Sequence, residues 1–225
     1  ATQIDEPPDT PARPLNVQTL LPSQMHKRGK GGSLKNRIAL IHSFCHIESY
    51  AIDLSWDMLL RYAPSEKYRK QRRKHKKPLL SQTIDDMIKS LEQNDWSVFL
   101  EQDTKRRTKP INHGVSLPKE FYEDWLRIAA EEALHFSLWA KRLKQLGSFY
   151  GALPGHDGLW VSAKATHDDV LARLAIVHMV LEGRGLDITP RSLQKLSNAN
   201  DEESVKLLTL IYKDEITHVR SGIVW

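Results

Sequence analysis

At 225 residues, 40% hydrophobic and 27% charged, the chain is long enough for one medium domain with a sizeable core and too well mixed for collagen, a repeat array or wholesale disorder. No run approaches the roughly 18 consecutive apolar residues of a membrane-spanning helix, the amino end lacks a signal-peptide pattern, and a single cysteine, Cys45, excludes a disulfide framework or a thiolate zinc cluster. The formal net charge of +5 sits in one place: residues 61–77 hold nine Lys or Arg against one acid, Glu66, which leaves the other 208 residues at −3. A soluble intracellular protein, with the cytoplasm as the simplest compartment, is the expectation, and any metal site has to be built from His and carboxylates.

Five of the eleven prolines fall in the first 22 residues, so residues 1–32 are expected to form an extended strap over the surface or a loose tail. A first helix is predicted from about 34 to 62, with Ser33 as its N-cap and Pro64 beyond its end. From about 64 to 114 the composition turns to Lys, Arg, Gln, Asp and Ser around one short amphipathic stretch, which reads as a basic, flexible insert. Pro118 opens a second helix that runs to about Leu146 and stops at Gly147; the Gly/Pro-rich segment after it is expected to be a loop. A third helix is predicted from about 167 to 186, ended by Gly185 and Pro190, and a fourth from near Asp201 to Trp225. No strand-like alternation of useful length occurs. The fold class is all-α, four long helices over residues 33–225 interrupted by the insert. Because the last residue falls inside a periodic helix and the first is not Met, a fragment of a longer chain is left open.

Each predicted helix carries one apolar stripe, and the same anomaly interrupts all four. The first stripe is Ile41, Cys45, Glu48, Ile52, Ser55, Leu59; the second is Phe121, Trp125, Ile128, Glu132, His135, Trp139. The third is Leu171, Leu174, His178, Glu182, Gly185, and the fourth is Leu208, Ile211, Glu215, His218, Gly222. Residues i and i+3 share a helix face, so each Glu-x-x-His pair points two ligands to one place. Buried carboxylates cost several kcal/mol each unless something positive sits among them. One Glu from each of two helices with Glu-x-x-His from each of the other two gives six ligands, Glu48, Glu132, His135, Glu182, Glu215 and His218. That is the donor set of ferritin-like di-iron and di-manganese proteins. Oxygen and imidazole donors suit two iron ions, or manganese. His178, one turn before Glu182, is a rival on the same face. Asp214 and Glu131 are candidates to accept the outer N–H of a ligand His from the opposite helix, against a reading as solvated acids. Tyr212 reads as a redox-active phenol or as packing; His42 and His46 read as partly buried structural histidines, and Trp125 and Trp139 as core. His156 and Asp157 line a pocket mouth or stabilise a turn.

The stretches LIHSFCHIESYAIDL, FYEDWLRIAAEEALHFSLWAKRL, LGSFYGALPGHDGLW, LARLAIVHMVLEGRGLDITP and LIYKDEITHVRSGIVW resemble a widespread ferritin-like family known mainly as a domain of unknown function. The resemblance covers most of 33–63 and 117–225, and the proline-rich strap is similar to that family's amino end. It implies a ferritin-like four-helix bundle whose ligands fall on the six residues already named. The basic insert departs from the compact pattern. More distantly, LEGRGLD between Glu-x-x-His helices is similar to the non-haem di-iron tRNA hydroxylase, which is analogy at the level of fold.

Three functions compete. An oxygen-activating hydroxylase or oxidase, with dioxygen and an organic substrate as partners, comes first, because mixed His and carboxylate ligation leaves open positions that a structural site would close. A ferroxidase or iron-storage protein comes second and requires a cage-like assembly or an iron exit path. The third is a binding module with structural metals whose basic insert contacts RNA or a partner. Nucleic acid bound through residues 61–77 is the less favoured partner, since a charge run is more often a solvated tract.

Overall fold

The computed structural model describes residues 7–25, 32–62 and 117–225, and these are predominantly helical. Helix α1 spans Leu34–Arg61 and α2 spans Lys119–Gln145. A short α3, Gly158–Ala165, precedes a long α4 made of Val170–Arg173, a π-helical stretch Leu174–Leu181 and Glu182–Asn198. Helix α5 spans Glu202–Val224. The predicted basic insert, including the charge run beyond residue 62, lies outside the described residues.

Local chemistry fixes most of the helix ends. The Ser33 hydroxyl accepts the amide of Asn36 and starts α1. Gly147, at φ +78°, ends α2: the Ser148 amide reaches back to the Leu143 carbonyl and the Gly147 amide to that of Lys144, a Schellman closure. Asn200, at φ 53°, closes α4 in the same way, with the Asp201 amide on the Leu196 carbonyl. Asp201 then caps α5 by accepting the Ser204 amide, while Arg37 and Arg142 clasp its carboxylate at 3.1 and 2.6 Å.

Three expectations are corrected. The segment after Gly147 is not all loop, since α3 forms within it and buries Trp160 and Ala163. The third helix begins at Val170, capped by Asp169, and continues through Gly185 and Pro190 to Asn198. The breakers are overridden because Leu196 is fully buried against α1, α2 and α5. The π-helical stretch also shifts the register of the predicted stripe, so Leu171 and Gly185 face solvent.

The four long helices share two apolar layers. Leu40, Ile41 and Cys45 of α1 meet Trp139 and Leu143 of α2, Leu196 of α4, and Leu208 and Ile211 of α5 at one end. Met58 and Leu59 meet Phe121, Trp125 and Ile128, with Val170 and Leu174, at the other, where Trp225 also packs. Therefore α1 and α5 run one way and α2 and α4 run the other. Since α2 and α4 are parallel, residues 146–169 must return along the length of the molecule. The amino-terminal strap lies across this crossover: Thr19–Leu20 (β1) pairs in parallel with Gly155–His156 (β2), Asn16 donates to the Tyr150 carbonyl, and Trp160 donates to the Asp9 carbonyl. Arg13 pairs with Asp53 and lies over the Tyr50 ring. No described helix is long and apolar enough to cross a membrane.

Candidate metal centre

On every long helix the predicted ligands lie between the two apolar layers. Glu48 falls between Cys45 and Met58, Glu132 and His135 between Ile128 and Trp139, Glu182 between Leu174 and Leu196, and Glu215 and His218 beyond Ile211. One ligand atom from each of Glu48, Glu132, His135 and Glu215 lies within 4.8 Å of all the others. His218 joins them, with Nδ1 3.0 Å from Glu132 Oε1 and 3.6 Å from Glu215 Oε2. His135 Nδ1 is 3.5 Å from Glu132 Oε2 and 3.6 Å from Glu215 Oε1. Glu182 sits beside this cluster, where the charges of His218 and Glu132 act on it, and one of its oxygens is 2.7 Å from His178 Nδ1.

The outer faces of the two histidines are held crosswise. His135 of α2 donates from Nε2 to Asp214 of α5 at 3.1 Å, and His218 of α5 donates from Nε2 to Glu131 of α2 at 2.8 Å. Each Nδ1 is thereby turned inward. Arg127 adds a clamp on one side only: it donates to Glu131 at 2.7 Å and reaches Thr217 and Ser221 of α5. Sequence reading named the two acids but missed Arg127, although its i,i+4 spacing to Glu131 was a signal.

Two properties of the cluster fit metal ions. Glu132 Oε2, Glu182 Oε2, His135 Nδ1 and His218 Nδ1 are all buried without a hydrogen-bond partner, a costly arrangement that cations among them would relieve. The nitrogens lie near carboxylate oxygens, but their alignment does not make hydrogen bonds. The electrostatics agree. Burial, then the charges of Glu132 and Glu215, holds Glu48 well above the ordinary carboxylate range; burial does the same to Glu182. Burial and the Glu132 charge push Glu215 up to about 7. Burial also opposes ionisation of Glu132 and His218, yet the contacts of Glu132 with His135 and His218, and of His218 with Glu132 and Glu215, win, holding Glu132 down to about 2 and pushing His218 up to about 12. Without metal, protons therefore supply the positive charge.

The neighbouring residues take plainer roles. His42 accepts the amides of Gly151 and Leu153, and His46 bridges the Tyr150 hydroxyl and the His156 carbonyl, so both tie the crossover to α1. Gly155 lies so close to His46 that a Cβ would overlap its ring. The Cys45 thiol is buried and pushed up to about 12 by burial and by Glu48, which makes it inert. Trp125 and Trp139 are fully buried, and Tyr212 is half-buried.

No solved structure matches the chain. An uncharacterised protein of Haemophilus influenzae is 48% identical over 105 residues, which are 47% of this chain and 36% of that relative, so the match spans about a third of the relative's length. The model of the family described as "Protein of unknown function (DUF455)" matches residues 1–225. Since that match covers the whole chain, the protein belongs to the DUF455 family.

Proposed function

We propose that this is a ferritin-like di-metal carboxylate protein, an oxygen-activating oxidoreductase or hydroxylase in which Glu48, Glu132, His135, Glu182, Glu215 and His218 hold two ions, iron by preference and manganese as the alternative. The observation that carries the reading is the inward cluster of donors with unpartnered buried atoms, oriented by Asp214 and Glu131 on the outer histidine nitrogens. The helix directions add support. Four long helices with one full-length crossover between the second and third are the connectivity of ferritin-like folds.

Within this reading Glu48 and His135 would hold one ion and Glu182 and His218 the second, with Glu132 and Glu215, whose oxygens lie 3.0–3.6 Å from the two histidine Nδ1 atoms, available to each. Redox-active ions held here supply electrons to dioxygen. The residues of the chain provide the rest. The layers of Ile41, Cys45 and Trp139 on one side, and of Trp125 and Ile128 on the other, keep bulk water from the carboxylates. Among the proposed ligands Glu215 and Glu182 have side chains partly open to solvent, at 22% and 19%, which supports access from the α4–α5 side.

The test is to load the full chain with ferrous iron without air and then admit oxygen. Oxygen is expected to be consumed in fixed proportion to the chain, with no iron taken up beyond two ions per chain. Continued iron uptake would favour the ferroxidase reading, and an inert reduced protein would remove the oxygen-activating one.

A further inference from the structure

We propose that His178 is a positioning residue, which holds one oxygen of Glu182 so that the other faces the second metal position. This rests on the two-metal reading above. Sequence spacing set His178 and Glu182 against each other as rivals for one ligand place, and the structure gives them different places. His178 Nδ1 is 2.7 Å from Glu182 Oε1, while Glu182 Oε2 is buried and unpartnered. No carboxylate other than that of Glu182 lies within ion-pair distance of the His178 ring among the described residues.

A metal-binding Glu182 is ionised and accepts only, so the hydrogen in this contact belongs to His178 Nδ1. The imidazole is then neutral and bare at Nε2, which is buried and unpartnered, and the Trp125 ring centroid stands 4.1 Å from that of His178. An unpaired buried nitrogen carries a desolvation cost that a leucine filling the same space would not incur. Packing alone therefore does not explain an imidazole here; its Nδ1–H does.

The backbone is arranged around the same contact. His178 lies within the π-helical stretch, whose wide turn sets it above Glu182, at the first residue after that stretch. There α4 presses against α5: a Cβ on Gly222 would stand 3.0 Å from the backbone carbonyl of His178. The helix pair is locked at the residue that steadies the carboxylate.

The experiment titrates the metal-free full chain with manganous ion, by calorimetry and by electron paramagnetic resonance, for wild type, His178→Leu and His178→Asn. Wild type is expected to take two ions and give the signal of a coupled pair. In His178→Leu the second ion should bind about ten- to a hundredfold more weakly, with an isolated-ion signal at one equivalent. His178→Asn keeps an N–H near the Nδ1 position and should recover the second ion to within about threefold of wild type. Wild-type affinity for both ions in His178→Leu overturns the proposal, as does an Asn variant as weak as the Leu variant. Should His178→Leu not fold, His178→Gln replaces it, because its amide reaches the Nε2 place instead; wild-type binding by that variant overturns the proposal equally. Fewer than two ions on wild type would remove the two-metal reading itself, whereas two on wild type and two on His178→Leu sink only the role of His178.

Discussion

Removing metal with a chelator is expected to lower the melting temperature by about 10 °C or more. An ion at a hundred times its dissociation constant contributes about 2.7 kcal/mol per site, and about 1 kcal/mol moves the midpoint of a domain of this size by roughly 2–4 °C. Two sites acting together give the expected shift. The loss should also depend on pH, with a sign fixed by the metal-free cluster. Glu215 is raised to about 7, so its ionisation is a penalty that is absent below its unfolded value and grows as pH rises through 7. His218 is raised to about 12, so its contribution is full below about 6.5 and is lost as pH rises toward 12. Glu132 is depressed to about 2, so its contribution is lost only as pH falls through that range. The metal-free protein should therefore weaken from pH 5.5 to pH 8, while the loaded protein gains because metal replaces the protons. Melts with and without chelator at both values check this. Equal melting temperatures at pH 8 would show that nothing is held in the cluster.

Glu132→Ala should be the most damaging single change at the site. Glu132 contacts both histidines at Nδ1 and has a ligand atom within 4.8 Å of one on Glu48, so both proposed metal positions would lose a ligand at once. Metal content should fall at least tenfold. Stability should fall even without metal, because the buried His218 cation loses its partner, and breaking such a pair costs about 3–5 kcal/mol. Metal analysis and denaturant melts of the metal-free variant separate the two effects. Full occupancy in Glu132→Ala would remove this residue from the ligand set.

How far the sequence could be read depended on whether the deciding interactions were local. Ser33, Gly147 and Asp201 mark helix ends within a few residues of the chain, and the structure has helices ending where they stand. The two Glu-x-x-His motifs came together because i and i+3 share a face in any α-helix. Gly185 and Pro190 misled because the burial of Leu196, a long-range effect, carries α4 past them. The π-helical stretch has no local signature in LAIVHMVL, and it moved Leu171 out to solvent. Nor does spacing reveal that Arg127 reaches α5, or that α2 and α4 are parallel; those follow from how the helices dock.

The most direct measurement is metal content, with Mössbauer spectroscopy of the full chain loaded with iron-57. Two irons per chain, seen as a coupled pair in the oxidised protein and lost together in Glu132→Ala, are the predicted result. One isolated iron, or none, in a folded protein would contradict the di-metal centre.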